Sequence, residues 1–185
     1  MGEADIQIIQ VKDKTLTPGR VVAVGKYVLG ITSSRNTLVV SYRKKPWLEK
    51  VSMDGKVLQQ FDMKGNPQHF QFPDFMCTTP DGSDMNTDPK MITQVDASLN
   101  IIQTFTSPLL KWPHGITAVR DDQILVCNQE NHSIVLLQPS TNTMSTLLGK
   151  EDEIERSYSL TYCPYGKKLF VASSSAEIIN VYQIA

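Results

Sequence analysis

The side chains in this 185-residue sequence with the most chemistry to offer are three cysteines, three histidines and two tryptophans. Cys77, Cys127 and Cys163 are too far apart to give the paired thiolates of a zinc site, where ligands recur two to four residues apart. Each sits among apolar residues, the setting of a buried neutral thiol rather than of a disulfide framework. Cys127 and His132 are five positions apart across a strand-to-turn boundary, which aims them in different directions and excludes a nucleophile and base pair. His132 follows Asn131, and both residue types tolerate the left-handed backbone of a tight turn, so His132 reads as a turn residue. There is no Gly-x-Ser-x-Gly elbow, no phosphate-binding Gly-rich loop and no dinucleotide fingerprint. The expectation is no catalytic residue, no metal and no cofactor.

Recognition is better supplied. Arg43, Lys44 and Lys45 form a basic triplet just before Trp47, and Lys111 and Trp112 precede His114. Trp and Arg dominate interface hot spots. Arg43, Lys44, Lys45, Trp47, Lys111, Trp112, His114 and His132 are therefore the candidate binding residues. An acidic run, KEDEIER, begins at Lys150. Charge is uneven along the chain: the first sixty residues hold ten Lys/Arg against five Asp/Glu, while the whole chain carries −1. That asymmetry gives only weak support for nucleic acid, since a dedicated binder shows a strongly basic domain.

Composition sets the class. With 41% hydrophobic and 20% charged residues the chain has the balance of a soluble globular domain. The longest apolar run, near Val21 to Ile31, is broken by Lys26 and two glycines and is too short to span a bilayer. The sequence opens without a charged-then-apolar leader, and with the isolated cysteines this points to a reducing, cytoplasmic setting without membrane contact.

The elements that must position these residues follow from a repeat. VSMDGKVLQQF at Val51 returns as QVDASLNIIQTF, with Val95 and Phe105 each displaced by 44 positions from Val51 and Phe61, and more loosely as LLQPSTNTMSTLL at Leu136. Upstream of these lie four similar starts: VLGITS at Val28, DFMCTTPDG at Asp74, HGITAVRDD at His114 and YSLTYCPYG at Tyr158. A period of about 44 residues, filled with short Val/Ile/Leu/Thr-rich strands and Asp-Gly, Pro and Asn clusters, is the signature of propeller blades. The expected fold is an all-β propeller in one region, with four blades at about 26–61, 70–105, 113–148 and 157–185. Two places depart from the pattern. Residues 82–90, GSDMNTDPK, are rich in turn formers and predict a deficient second blade. The fourth unit ends after three strands, and the alternating segment 5–11 is a natural closing strand for it.

The third unit, Pro113-His114-Gly115-Ile116 followed by ILVCNQENHSIVLL from Ile124, resembles an NHL repeat: a Pro-x-Gly-Ile start, an apolar strand, a polar turn ending in Asn-His and a further strand. Asn128 stands where that pattern has an acidic residue and Ser133 where it has a basic one. The resemblance covers about residues 26–185 and extends to the C-terminal propeller of tripartite-motif proteins. It implies a six-bladed ring, so four units imply an arc of a larger propeller or a compact four-bladed closure. It also implies a ubiquitin-ligase context, although the zinc-binding modules responsible for that activity are not in this sequence. Enzymes of related shape need Glu, Asp, Asn or His at the starts of several units; here only Asp74 and His114 come near, and two residues do not make a metal site.

The function so implied is a non-catalytic, protein-binding platform, with single-stranded RNA binding as the alternative and a propeller hydrolase or lyase as the lesser one. In a four-stranded blade, the turn between the second and third strands shares a face with the link to the next blade. The candidate residues fall on that face, which mixes both signs of charge and so suits a protein partner better than RNA. Self-association through exposed blade edges is a further expectation.

Overall fold

The computed structural model describes residues 4–34, 36–43, 47–62, 73–120, 122–175 and 177–184. Among them, seventeen strands and two short 3-10 turns, Pro139–Thr141 and Lys150–Asp152, make up the regular structure. The all-β expectation is met by antiparallel meanders. In the first sheet β3 (Val28–Ser34), β4 (Thr37–Tyr42), β5 (Trp47–Ser52) and β6 (Val57–Asp62) pair in sequence order. The second contains β7 (Phe75–Thr78), β8 (Asp84–Asp88), β9 (Met91–Val95) and β10 (Ile101–Thr106). The third contains β11 (Pro113–Arg120), β12 (Gln123–Asn128), β13 (Ser133–Gln138) and β14 (Thr143–Leu148). The last is three-stranded, β15 (Ser157–Cys163), β16 (Lys168–Ser173) and β17 (Ile179–Gln183).

Side-chain alternation determines how the sheets stack. Along β12, Ile124 and Val126 pack toward the second sheet with Met85, Ile92, Phe105 and Ile116. Leu125 and Cys127, one residue out of phase, pack toward the fourth with Leu160, Leu169 and Val171. A strand buried on both faces reads as the continuous apolar run ILVC rather than as an alternation. Val39, Leu48, Met76, Val95 and Leu99 fill the seam between the first and second sheets. The first strands β3, β7, β11 and β15 come together in that order as the inner strands of adjoining blades. Their approach is close enough that a Cβ on Gly115 would stand 2.7 Å from Ser159 Cα, and one on Gly30 2.9 Å from Asp74 O, so only glycine fits at either position.

Two expectations are corrected. Residues 82–90 do not mark a deficient strand: β8 pairs with both β7 and β9, and all five of its residues are buried. Part of its polar side-chain surface finds partners among its neighbours, while Asn86 Oδ1 and Thr87 Oγ1 are buried without a hydrogen bond among the described residues. Thr78 Oγ1 donates to Asp84 Oδ1 at 2.7 Å, Thr32 supports Thr78 from the first sheet at 2.8 Å, and Asn86 Nδ2 donates to Thr93 O at 3.4 Å. Met85 fills the opposite side.

The segment 5–11 does not close the fourth blade. It lies within β1 (Ala4–Lys12), which forms a hairpin with β2 (Thr15–Val24). The hairpin packs Ile6, Ile8, Val22 and Val24 against Leu38, Val40 and Tyr42 of the first sheet. The apolar face of the next sheet in the chain captures it before any distant edge can.

Candidate functional site

At one end of the sheets, the turn between the second and third strands of the first, third and fourth blades is tied by a backbone hydrogen bond to the segment leading into that blade. Arg43 N donates to Tyr27 O at 2.8 Å, Gln129 N to Trp112 O at 3.3 Å and Ser174 N to Arg156 O at 3.0 Å. These bonds hold the loops of those three blades against the segments that precede them.

The third blade is stapled most firmly there. Asn128, 1% exposed at the end of β12, accepts from Lys111 N at 2.6 Å through Oδ1. Through Nδ2 it donates to Leu109 O at 2.8 Å and Ser133 Oγ at 3.0 Å. Asn131 Nδ2 adds a second bond to Leu109 O at 3.0 Å. Held in this way, the loop turns sharply at Trp112, which has φ 58° and remains 47% exposed. A left-handed conformation is costly for a bulky aromatic residue. Here the cost is sustained on an exposed side chain that packing alone would not keep in place.

Two clefts open on this face and share Pro89, Lys90 and Trp112. The inner one, about 650 Å³, lies at the mouth of the central channel, where Leu29 and Arg43 from the first blade, Asp74 and Phe75 from the second and Tyr158 from the fourth converge. The outer one, about 610 Å³, runs between the second and third blades along Met91, Thr106, Leu110, Lys111 and Glu130. His114 is buried beside the inner cleft, its ring 5.5 Å from Phe75 and 4.6 Å from Tyr158. Its Nε2 meets Gln129 Oε1 at 3.1 Å, so the neutral ring carries its proton on Nε2. Nδ1 is then a buried acceptor with no hydrogen bond among the described residues.

Burial holds the His114 pKa below the ordinary histidine value, opposed by the Gln129 hydrogen bond and by the charge of Asp74. Burial likewise raises the Asp74 carboxyl, against the pull of His114 and Arg43. The two groups that came nearest to ligands in the sequence are thus neighbours. Among the described residues, however, no group of three His, Cys, Asp or Glu side chains could hold a metal ion.

Of the candidate binding residues, Arg43 and Trp112 line the inner cleft, and Lys111 lines the outer one. His114 sits beneath them rather than on the surface. His132 has φ 50°, as a turn residue should, and its Nδ1 accepts from Arg156 N at 3.3 Å. It borders a separate cleft of about 440 Å³ with Lys150, Glu153 and Glu155. Lys44 and Lys45 lie outside the described residues; Trp47 begins β5, its backbone paired with Asp62. Asp74, Phe75, Lys90 and Tyr158 were missed as binding residues. Three of them stand at unit starts, the one sequence signal that could have found them, and Lys90 stands in the stretch taken for a defect.

Comparison with known proteins agrees with this architecture. Residues 110–135 match the NHL repeat family model, so the stapled loop, β11, β12 and the start of β13 carry an NHL repeat. No curated protein matches the sequence. Among solved structures the chain is similar to selenomethionine-substituted virginiamycin B lyase from Staphylococcus aureus, with 17% identity and a TM-score of 0.65 over 96% of this chain and 63% of that one. It is similar to the WD40 repeats of RRP9, with 18% identity and a TM-score of 0.68 over 85% of this chain and 48% of that one. It is also similar to the β-propeller domain of Cps50 (Swd1) from Myceliophteria thermophila, with 13% identity and a TM-score of 0.66 over 98% of this chain and 69% of that one. At these identities the likeness shows the fold, a β-propeller. The chain spans less than two thirds of the length of the lyase it matches.

Proposed function

We propose that this NHL-type propeller is a non-catalytic interaction platform that binds a protein partner through the loop face of its blades. The observation that carries the reading is the pair of clefts sharing Trp112 and Lys90, lined by aromatic rings, by the cations Arg43, Lys90 and Lys111 and by the acids Asp74 and Glu130. An aromatic centre with a mixed-sign rim fits a protein interface, whereas RNA would favour a uniformly basic one. A role as the recognition part of a tripartite-motif assembly is the finer form of the proposal, supported by Pro113 to Ile116 and by Asn131-His132 within the matched repeat. A reducing, cytoplasmic setting belongs to the same proposal. It is supported by three free cysteines, two of which, Cys77 and Cys127, have thiols pushed up to about 12 by burial.

Affinity capture with the intact chain, with and without nuclease, tests the reading. The expected result is a protein captured in both conditions and lost with Trp112→Ala at unchanged thermal stability. Capture that vanishes with nuclease favours RNA, and capture indifferent to Trp112, Lys90 and Arg43 rejects this face.

A further inference from the structure

We infer that the joined clefts take an extended acidic peptide, with an apolar side chain of the peptide seated beside Trp112 and carboxylates set against Lys90 and Lys111. The inference rests on the protein-binding reading of the same face and specifies its ligand. The two clefts adjoin at the Pro89-Lys90 turn and Trp112, which line both, and together they reach from the channel mouth to the gap between the second and third blades. A groove of that shape suits a chain segment rather than a single side chain.

Charge decides the sign of the ligand. At the inner end Arg43 is close enough for its charge to act on the Asp74 carboxyl, so that acid is already opposed from within the protein. Toward the outer end Lys90 and Lys111 line one cleft together with Trp112, with Glu130 the one acid among its described lining residues. Arg43, Lys90 and Lys111 against Asp74 and Glu130 leave the balance along the groove cationic.

Trp112 supplies the anchor. Leu110, buried below it, and Met91, at the cleft wall, continue the apolar surface. The Asn128 staple fixes the loop that carries the tryptophan, and an exposed aromatic held in advance of binding loses little freedom when a partner arrives. The same left-handed backbone recurs at Tyr27 and Arg156, which accept the equivalent bonds in the first and fourth blades, so the turn belongs to the repeat and the exposed indole is what distinguishes Trp112.

Defined copolymers test this directly. A fluorescently labelled glutamate-tyrosine copolymer, a lysine-tyrosine copolymer and an oligouridylate are titrated against the intact chain by anisotropy, with thermal unfolding as the folding control. The acidic copolymer is expected to bind and the basic one not. Trp112→Ala should weaken binding about thirtyfold, as loss of a hot-spot aromatic does. Lys90→Glu should weaken the acidic copolymer about tenfold and improve the basic one, while Lys90→Gln falls between.

Equal binding of the two copolymers overturns the inference, as does no binding or binding unchanged in these variants. Preferential binding of oligouridylate through Arg43 and Lys90 also overturns it, in favour of nucleic acid. If lysate capture depends on Trp112 while the copolymers are not distinguished, the acidic-peptide assignment fails and the platform stands. If the copolymers are distinguished but capture ignores Trp112 and Lys90, the platform reading of this face fails alone.

Discussion

Asn128 Oδ1 accepts a 2.6 Å hydrogen bond from the backbone N–H of Lys111, seventeen residues earlier in the chain. Through this bond a strand-end amide in the third blade governs the conformation of the loop that presents Trp112. Asn128→Ala leaves Lys111 N and Leu109 O without this partner and should cost about 2 kcal/mol of stability. Urea denaturation reads the loss, and faster hydrogen exchange at the Lys111 amide locates it. Unchanged exchange at Lys111 would mean that the loop is held by something else.

Trp112 itself offers the opposite result. Its φ of 58° is a conformation that glycine adopts without strain, so Trp112→Gly should relieve about 1 kcal/mol of backbone strain. Because the ring is 47% exposed, little packing is lost in exchange. The expected variant is as stable as the parent or more so, yet deficient in binding. A marked fall in melting temperature would show that the ring is structural.

Gly115→Ala should be among the most damaging single changes. The added carbon meets Ser159 Cα at 2.7 Å and Leu160 N at 2.9 Å, and backbone cannot step aside as a flexible side chain can. A destabilisation of about 3 kcal/mol is expected from such overpacking, measured by chemical denaturation.

Stability should also depend on pH through the channel mouth. The pKa of His114 is lower in the folded chain than in the unfolded one, so between the two values the unfolded state binds more protons. Its contribution is therefore present above the ordinary histidine value of about 6.5 and is lost as pH falls from there toward the lowered folded value. Asp74 works in the other direction: its raised carboxyl favours the folded state as pH falls through the folded value. His114→Gln should flatten the loss of stability on mild acidification, and a profile identical to the parent would place the titration elsewhere.

Much of the architecture was legible because burial on both faces leaves a plain trace, as in the ILVC run of β12. β8 left none. DMNTD has the composition of a loop, and it becomes a strand because its backbone pairs with β7 and β9 while Thr78 and Thr93 take up Asp84 Oδ1 and Asn86 Nδ2, an arrangement set by partners rather than by its own residues. The destination of β1 was hidden for a related reason. Its alternation announces a strand with one apolar face but does not say which sheet will cover that face. At the candidate site, Arg43, Lys111 and Trp112 could be found from loop position alone. Asp74, Phe75 and Lys90 of the second blade and Tyr158 of the fourth meet only when the inner strands are brought side by side.

The seams between sheets have a consequence for how mutations combine. Each apolar cluster joins neighbouring elements only: Val40 shares its seam with the β1–β2 hairpin, and Leu169 shares its own with the third blade. Among the described residues no packed group of side chains bridges these two seams directly, so a loss at one reaches the other through two intervening blades. Epistasis in this molecule should therefore follow the order of the blades, strong between adjacent ones and close to zero between the ends. Val40→Ala and Leu169→Ala together should cost the sum of their separate effects to within about 0.5 kcal/mol, whereas Met85→Ala and Ile124→Ala, which face each other across one seam, should not add.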